Sequence, residues 1–132
     1  MDSSLQERLR STVSGFASRA IAVYVFGSLA RGTDREDSDI DLGVLLREMP
    51  AEPLARLGQD IAAELTQELG REVDVVILNE APADLVHRVL RDGILLLESD
   101  RSARIAFEVA ARNRYFDLKP ILDEYRGTRR SA

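Results

Sequence analysis

The sequence predicts an α/β fold of the α+β kind: a small mixed β-sheet of three to four strands flanked by helices, with residues 1–132 forming a single domain. Three observations carry this. Four short apolar runs, at 21–26, 40–46, 73–78 and 94–97, have the length and β-branched or aromatic content of buried strands. Between them lie stretches with apolar residues three or four apart, the period of an amphipathic helix. Glycine and proline stand at the joins: Gly27, Pro50, Pro53, Gly70, Pro82 and Gly93. Strands alternating with helices give a layered α/β domain.

Taken in order, the first helix is expected over 4–18, where Leu5, Leu9, Val13 and Phe16 recur at helical spacing. The strand 21–26 ends at Gly27. Ser28 lies at a turn, and Leu29-Ala30-Arg31 begins a short helix. Residues 33–38 form a polar, acidic loop whose Asp34, Glu36 and Asp37 read as solvated charges. Pro50 and Pro53 open the next helix, Leu54, Leu57, Ile61, Leu65 and Leu69 line its buried face, and Gly70 ends it. A helix over 82–91 is closed by Asp92-Gly93. Ser99 or Asp100 caps a final helix, which Pro120 should break or kink, leaving a short second helix over about 120–126.

Composition excludes several classes. No apolar run approaches the ~20 residues of a membrane span, and the start of the chain lacks a signal-peptide pattern, so the cytoplasm is the expected compartment. The absence of cysteine removes disulfides, thiolate nucleophiles and zinc-thiolate sites. A net charge of −5 argues against nucleic-acid binding, which depends on cations that neutralise phosphates. Arg126, Arg129 and Arg130 read as a small solvated basic tail.

The chemistry-bearing residues cluster around the first two strands. Asp39 and Asp41, two residues apart on one strand, share a face about 6.6 Å apart along the chain, while Ile40 and Leu42 face the other way. Two carboxylates held together repel, and a proton or a cation must relieve them. Magnesium suits the site, because it is usually held by one or two carboxylates together with substrate phosphates. Asp74 is the sole charge in the run 73–78, read as a buried strand, where a charge is costly unless paired or metal-bound. If the three runs share a sheet, Asp74 joins the pair. Three acidic side chains then hold two divalent ions about 3.5–4 Å apart, the clamp used in phosphoryl transfer. Gly27 permits close approach of a phosphate to the backbone, and Ser28 offers a hydroxyl.

Gly27-Ser28-Leu29-Ala30-Arg31-Gly32, Ser38-Asp39-Ile40-Asp41-Leu42 and Val73-Asp74-Val75-Val76 together resemble the nucleotidyltransferase superfamily that includes DNA polymerase beta. Within it the chain is most similar to the minimal nucleotidyltransferases (MNT). A glycine-serine pair alone says nothing and Asp-x-Asp little, but the full set in order on strands is specific. The resemblance implies that Asp39, Asp41 and Asp74 ligate magnesium, that Asp74 helps deprotonate the acceptor hydroxyl, and that Gly27 and Ser28 bind the triphosphate of ATP. It also implies the antitoxin of a type VII-like toxin–antitoxin pair that transfers AMP to a tyrosine hydroxyl of a HEPN-domain toxin. Two other readings stand beside it: a non-catalytic antitoxin that masks the HEPN ribonuclease, and a small-molecule (antibiotic) nucleotidyltransferase, an enzyme class that generally carries a further substrate domain.

Each residue also has an ordinary reading. Gly27-Ser28 is equally the pattern of a glycine turn with a serine helix cap, and Asp39 that of a solvated strand end. Arg31 either reaches a phosphate oxygen or pairs with Asp34 or Asp37. His87, the one histidine, reads as a surface residue. Tyr115, Phe116, Leu118, Ile121, Leu122 and Tyr125 form either a last core helix or a docking surface.

Overall fold

A computed structural model describes the backbone of residues 1–33, 35 and 38–131, with side chains to residue 126. Four strands form one mixed sheet: β1 (Ala20–Phe26), β2 (Ile40–Leu46), β3 (Val73–Ile77) and β4 (Ile94–Glu98), in the order β3-β2-β1-β4. β1 runs antiparallel to both β2 and β4, whereas β2 and β3 are parallel. Parallel neighbours need a crossover, and α3 (Leu54–Leu69) supplies it. The remaining helices are α1 (Ser3–Val13), α2 (Gly27–Arg31), α4 (Ala83–Asp92) and α5 (Arg101–Ser131).

Alternation along the strands sends side chains to two cores. On one face α1 and α3 bury Leu9, Val13, Ile61, Leu65 and Leu69 against Val23, Val25, Leu42 and Val44. On the other, Val86 and Val89 of α4, with Phe107 and Ala111 of α5, cover Ala22, Tyr24 and Leu45. Each fully buried Leu or Val contributes about 1.5–3 kcal/mol relative to exposure. Gly43 of β2 allows that second layer to come close, since a Cβ there would press on Leu78 and Val89.

The element boundaries follow local chemistry. Asp2 caps α1 by accepting from the Ser4 N–H at 2.8 Å. α1 stops at Val13, short of Ser18, and a 3-10 turn over Ser14–Phe16 follows, because Gly15 weakens the helix while Phe16 turns into the core. Gly70 closes α3 at φ +71°. Asp100, of the two candidates, caps α5, accepting from the Ala103 N–H at 3.0 Å.

Two expectations are corrected. α5 passes through Pro120 without ending. Proline there removes one donor, but residue 120 and its neighbours Phe116 and Ile121 face solvent, so the freed carbonyl of Phe116 is left to water. β3 is an edge strand rather than a fully buried one, and Asp74 is exposed on it. Its charge therefore carries little burial penalty. Asp34, Glu36 and Asp37, read above as solvated loop charges, lie outside the described residues, as do the side chains of Arg129 and Arg130. Among the described residues no helix is long and apolar enough to cross a membrane.

Candidate active site

The sheet register assembles the acidic residues. Phe26 of β1 stands opposite Asp41 of β2, and Asp41 stands opposite Asp74 of β3. Adjacent strands lie about 4.8 Å apart, so Asp41 and Asp74 are direct neighbours on the face also covered by α4 and α5. Asp39 immediately precedes β2 and shares that face by the two-residue period. Asp41 is half-buried, while Asp39 and Asp74 are exposed. The approach to Asp39 is anchored by Arg71, whose guanidinium donates to the Ser38 carbonyl at 2.6 Å and to that of Arg35 at 3.3 Å.

Asp41 feels both of the other carboxyls. Burial pushes the Asp41 carboxyl above its ordinary range, and the negative charges of Asp74 and then Asp39 push it further. Arg31, in the last turn of α2, opposes the rise. Among the described residues neither Asp39, Asp41 nor Asp74 has an ion-pair partner. Nor, among those residues, do three acidic or imidazole side chains close into a ready metal cage. The carboxyls share a face and a field without meeting at one point. That fits a hard divalent cation that completes its shell with substrate phosphates.

Gly27 is built for this place. Its φ of +72° is a left-handed conformation that favours glycine, and a Cβ on it would run into the Asp41 carboxylate. The Gly27 backbone and Asp41 are therefore in direct apposition, and α2 starts on this turn. Phe26 precedes α2 with extended backbone and caps no N–H with its side chain. The first-turn amides, Ser28 among them, have no side-chain partner from that cap. Gly32 at φ +74° ends α2, and its N–H and that of Thr33 return to the carbonyls of Leu29 and Ser28.

Gly27, Ser28, Arg31, Asp39, Asp41 and Asp74 thus lie at one end of the strands, where β1 finishes and β2 and β3 begin. Other sequence expectations fare differently. His87 lies half-buried at the surface, as expected, but its ring is held: it stacks on Tyr115 at 3.7 Å, nearly parallel, because α4 packs against α5. Arg126 is exposed, as expected of a solvated tail, and it also meets Asp84 at 3.4 Å. The C-terminal aromatic run divides, with Tyr115, Leu118 and Leu122 half-buried and Phe116 and Ile121 exposed. Sequence reasoning gave no role to Arg71 and gave Asp92 only the closing of a helix. A lone arginine opening a strand and an Asp-Gly turn carry no signal of their own.

Comparison with known proteins places this arrangement. Residues 9–102 match the family described as polymerase beta nucleotidyltransferase. Protein adenylyltransferase MntA of Shewanella oneidensis is 35% identical over 72 residues, 54% of this chain and 49% of MntA. The aligned stretch thus spans about half the length of that curated relative. A solved structure provisionally described as a minimal nucleotidyltransferase is 36% identical, with 71% of this chain and 95% of that one covered and a TM-score of 0.55. A complex of a tri-AMPylated Shewanella oneidensis HEPN toxin with its MNT antitoxin shares the fold at a TM-score of 0.66 and 21% identity, covering 91% and 98% of the two chains. With its glycine-serine turn and its row of carboxylates in the matched region, the chain belongs to the polymerase beta nucleotidyltransferase family, in its minimal nucleotidyltransferase branch.

Proposed function

We propose that the chain is a magnesium-dependent protein adenylyltransferase that transfers AMP from ATP to a tyrosine hydroxyl of a HEPN-domain toxin, acting as the antitoxin of the pair. One observation carries the reading: Asp41 is pressed against the Gly27 turn with its charged form disfavoured by burial and by Asp74 and Asp39. A carboxylate kept in that state gains from a cation beside a phosphate chain. The name of the relative and the AMPylated toxin in the related complex support the reaction class and the partner.

In this reading the Gly27 and Ser28 amides and the Ser28 hydroxyl hold the β- and γ-phosphates, and Arg31 neutralises one of their oxygens. Asp39, Asp41 and Asp74 would hold the metal, with Asp74 the one nearest the open edge where an acceptor can enter. Magnesium, when bound, supplies charge stabilisation at the phosphoryl oxygens and makes the acceptor hydroxyl easier to deprotonate. The hydroxyl oxygen attacks the α-phosphorus, the bond to pyrophosphate breaks, and the hydroxyl proton leaves toward Asp74. Exposure of Asp74 on the edge strand gives a protein-borne tyrosine room to enter. No histidine base is needed, and His87 is engaged elsewhere.

The test mixes this protein with a HEPN-domain toxin, ATP and magnesium, and follows intact mass. The partner should gain whole AMP increments on tyrosine, and Asp39→Asn or Asp41→Asn should stop the gain without unfolding the protein. Full modification by the double variant would sink the catalytic reading. The masking alternative draws on the exposed Ile105, Val109 and Phe116 of α5. It would be preferred if both Asp variants still neutralised the toxin and no modified tyrosine formed.

A further inference from the structure

Asp84, His87, Arg88, Arg91, Tyr115 and Arg126 line an open cleft of about 360 Å³ between α4 and α5. It adjoins the carboxylate centre without being part of it. α2 packs against α4; Arg31 acts electrostatically on both Asp41 and Asp92; and Asp92 also feels His87. Arg31 and Asp92 therefore lie within electrostatic reach of one another between the carboxylate centre and the cleft.

The cleft has the composition of a protein-binding surface. The stacked rings of His87 and Tyr115 form a fixed wall, and Phe116 meets both edge-on while remaining 60% exposed. Arg91 is paired with Asp92 at 2.8 Å and Arg126 with Asp84 at 3.4 Å, both at exposed positions where partners exchange at small cost. Arg88 has no hydrogen-bond or ion-pair partner among the described residues. Arginine beside exposed aromatic rings is the combination enriched at interface hot spots. In a chain of net charge −5, this concentration of cations singles out an acidic ligand. A nucleobase is a poorer fit, because His87 and Tyr115 occupy one another's faces and leave no slot between them.

We infer that the α4–α5 cleft docks an acidic segment of the acceptor protein, with Arg88 and Arg126 supplying charge and Phe116 an apolar anchor, so that the acceptor is held beside the centre where AMP is transferred. This rests on the adenylyl-transfer reading for its partner, but its test does not depend on catalysis. Arg88→Glu/Arg126→Glu, Phe116→Ala and the control Arg56→Glu, on the opposite sheet face, are compared in two assays after circular dichroism has shown each to be folded. One is nucleotide-free affinity for the HEPN-domain partner, and the other is steady-state AMP transfer with partner and ATP varied separately. The charge reversal should weaken partner affinity and raise the partner KM about tenfold or more. The ATP KM and the rate at saturating partner should stay within about twofold of wild type. Phe116→Ala should act in the same direction severalfold, and Arg56→Glu should do nothing. Unchanged partner affinity in the charge-reversed and Phe116 variants would overturn the inference. So would a raised ATP KM with partner affinity intact, which would assign the cleft to the nucleotide. If wild type transfers no AMP at all, the adenylyl-transfer reading fails, while the affinity assay still decides the docking site.

Discussion

Two carboxylates occupy the same face of the sheet, a short step apart along β1, and meet opposite treatment. Glu108 of α5 stands over Tyr24, accepting its hydroxyl at 2.8 Å, and its other oxygen takes Arg104 at 2.9 Å, which also grips Glu98 at 2.9 Å. Asp41 stands opposite Phe26 with two more carboxylates beside it and only Arg31 in opposition. Around Glu108 each charged group has a partner inside the fold, with Arg104 shared between two glutamates, and burial together with Glu108 holds the Tyr24 phenol far above its ordinary range. Around Asp41 the charges are mismatched until something is bound. The matched cluster fastens α5 to the sheet, and the mismatched one marks the place where a ligand completes the structure.

The widest separation between the two regions should appear in activity. Asp41→Asn keeps the shape of the side chain and removes the charge proposed to hold the metal. Metal stabilisation of a phosphoryl transition state is worth several kcal/mol, so AMP transfer should fall roughly a thousandfold. Glu108→Gln should leave transfer per folded molecule near wild type. Labelled-AMP incorporation measures both, and equal losses in the two variants would erase the distinction.

Stability should separate them in the other direction. Glu108→Ala leaves the Tyr24 hydroxyl and one arm of Arg104 without their partner in a part-buried setting. Hydrogen bonds involving charged groups contribute about 1.5–3 kcal/mol each, so the urea midpoint should drop by the equivalent of about 2–3 kcal/mol. A midpoint unchanged from wild type would mean the cluster is not a fastening. Gly27→Ala should fall between the regions, damaging both properties. Its left-handed backbone costs about 1–2 kcal/mol for a residue with a Cβ, and the added methyl displaces the Asp41 carboxylate. Thermal melting and AMP transfer should therefore decline together.

The contrast also explains what could be read from the sequence. That Asp39 and Asp41 share a face was legible from strand periodicity. The placing of Asp74 beside them rested on the family resemblance and on the condition that the strands share a sheet, which the β2–β3 register meets. The mixed sheet of three to four strands was legible from local apolar runs. The Tyr24–Glu108–Arg104–Glu98 cluster was not, since it joins β1, β4 and α5 through side chains 84 residues apart at the Tyr24–Glu108 bond. The stacking of His87 was missed for a related reason: its partner Tyr115 comes from another helix. Pro120 was misread because the rule against proline in helices weighs less where the freed carbonyl faces water. Asp74 was given a buried strand because nothing in five apolar-rich residues distinguishes an edge from a centre.

The smallest effect is the most diagnostic, because its sign is unusual. The Asp41 carboxyl in the folded protein titrates above its ordinary value of 3.8, chiefly through burial and then through Asp74 and Asp39. The native state therefore holds this proton more tightly than the unfolded chain does. Its contribution to stability is full below pH 3.8 and is lost as pH rises through the folded value. At neutral pH the charge opposes folding, so Asp41→Asn should stabilise the protein even as it abolishes transfer. Solvent screening of a half-exposed group keeps the gain on the order of 1 kcal/mol or less. Magnesium should raise the melting temperature of wild type by mass action and leave that of the Asp41 variant nearly unmoved. In the same way, the acid limb of the wild-type rate profile should move to lower pH as magnesium increases, since cation and proton compete for one carboxylate. An Asp41→Asn protein less stable than wild type at pH 7 would show that the repulsion is already relieved within the fold, and the site would then have no need of a metal.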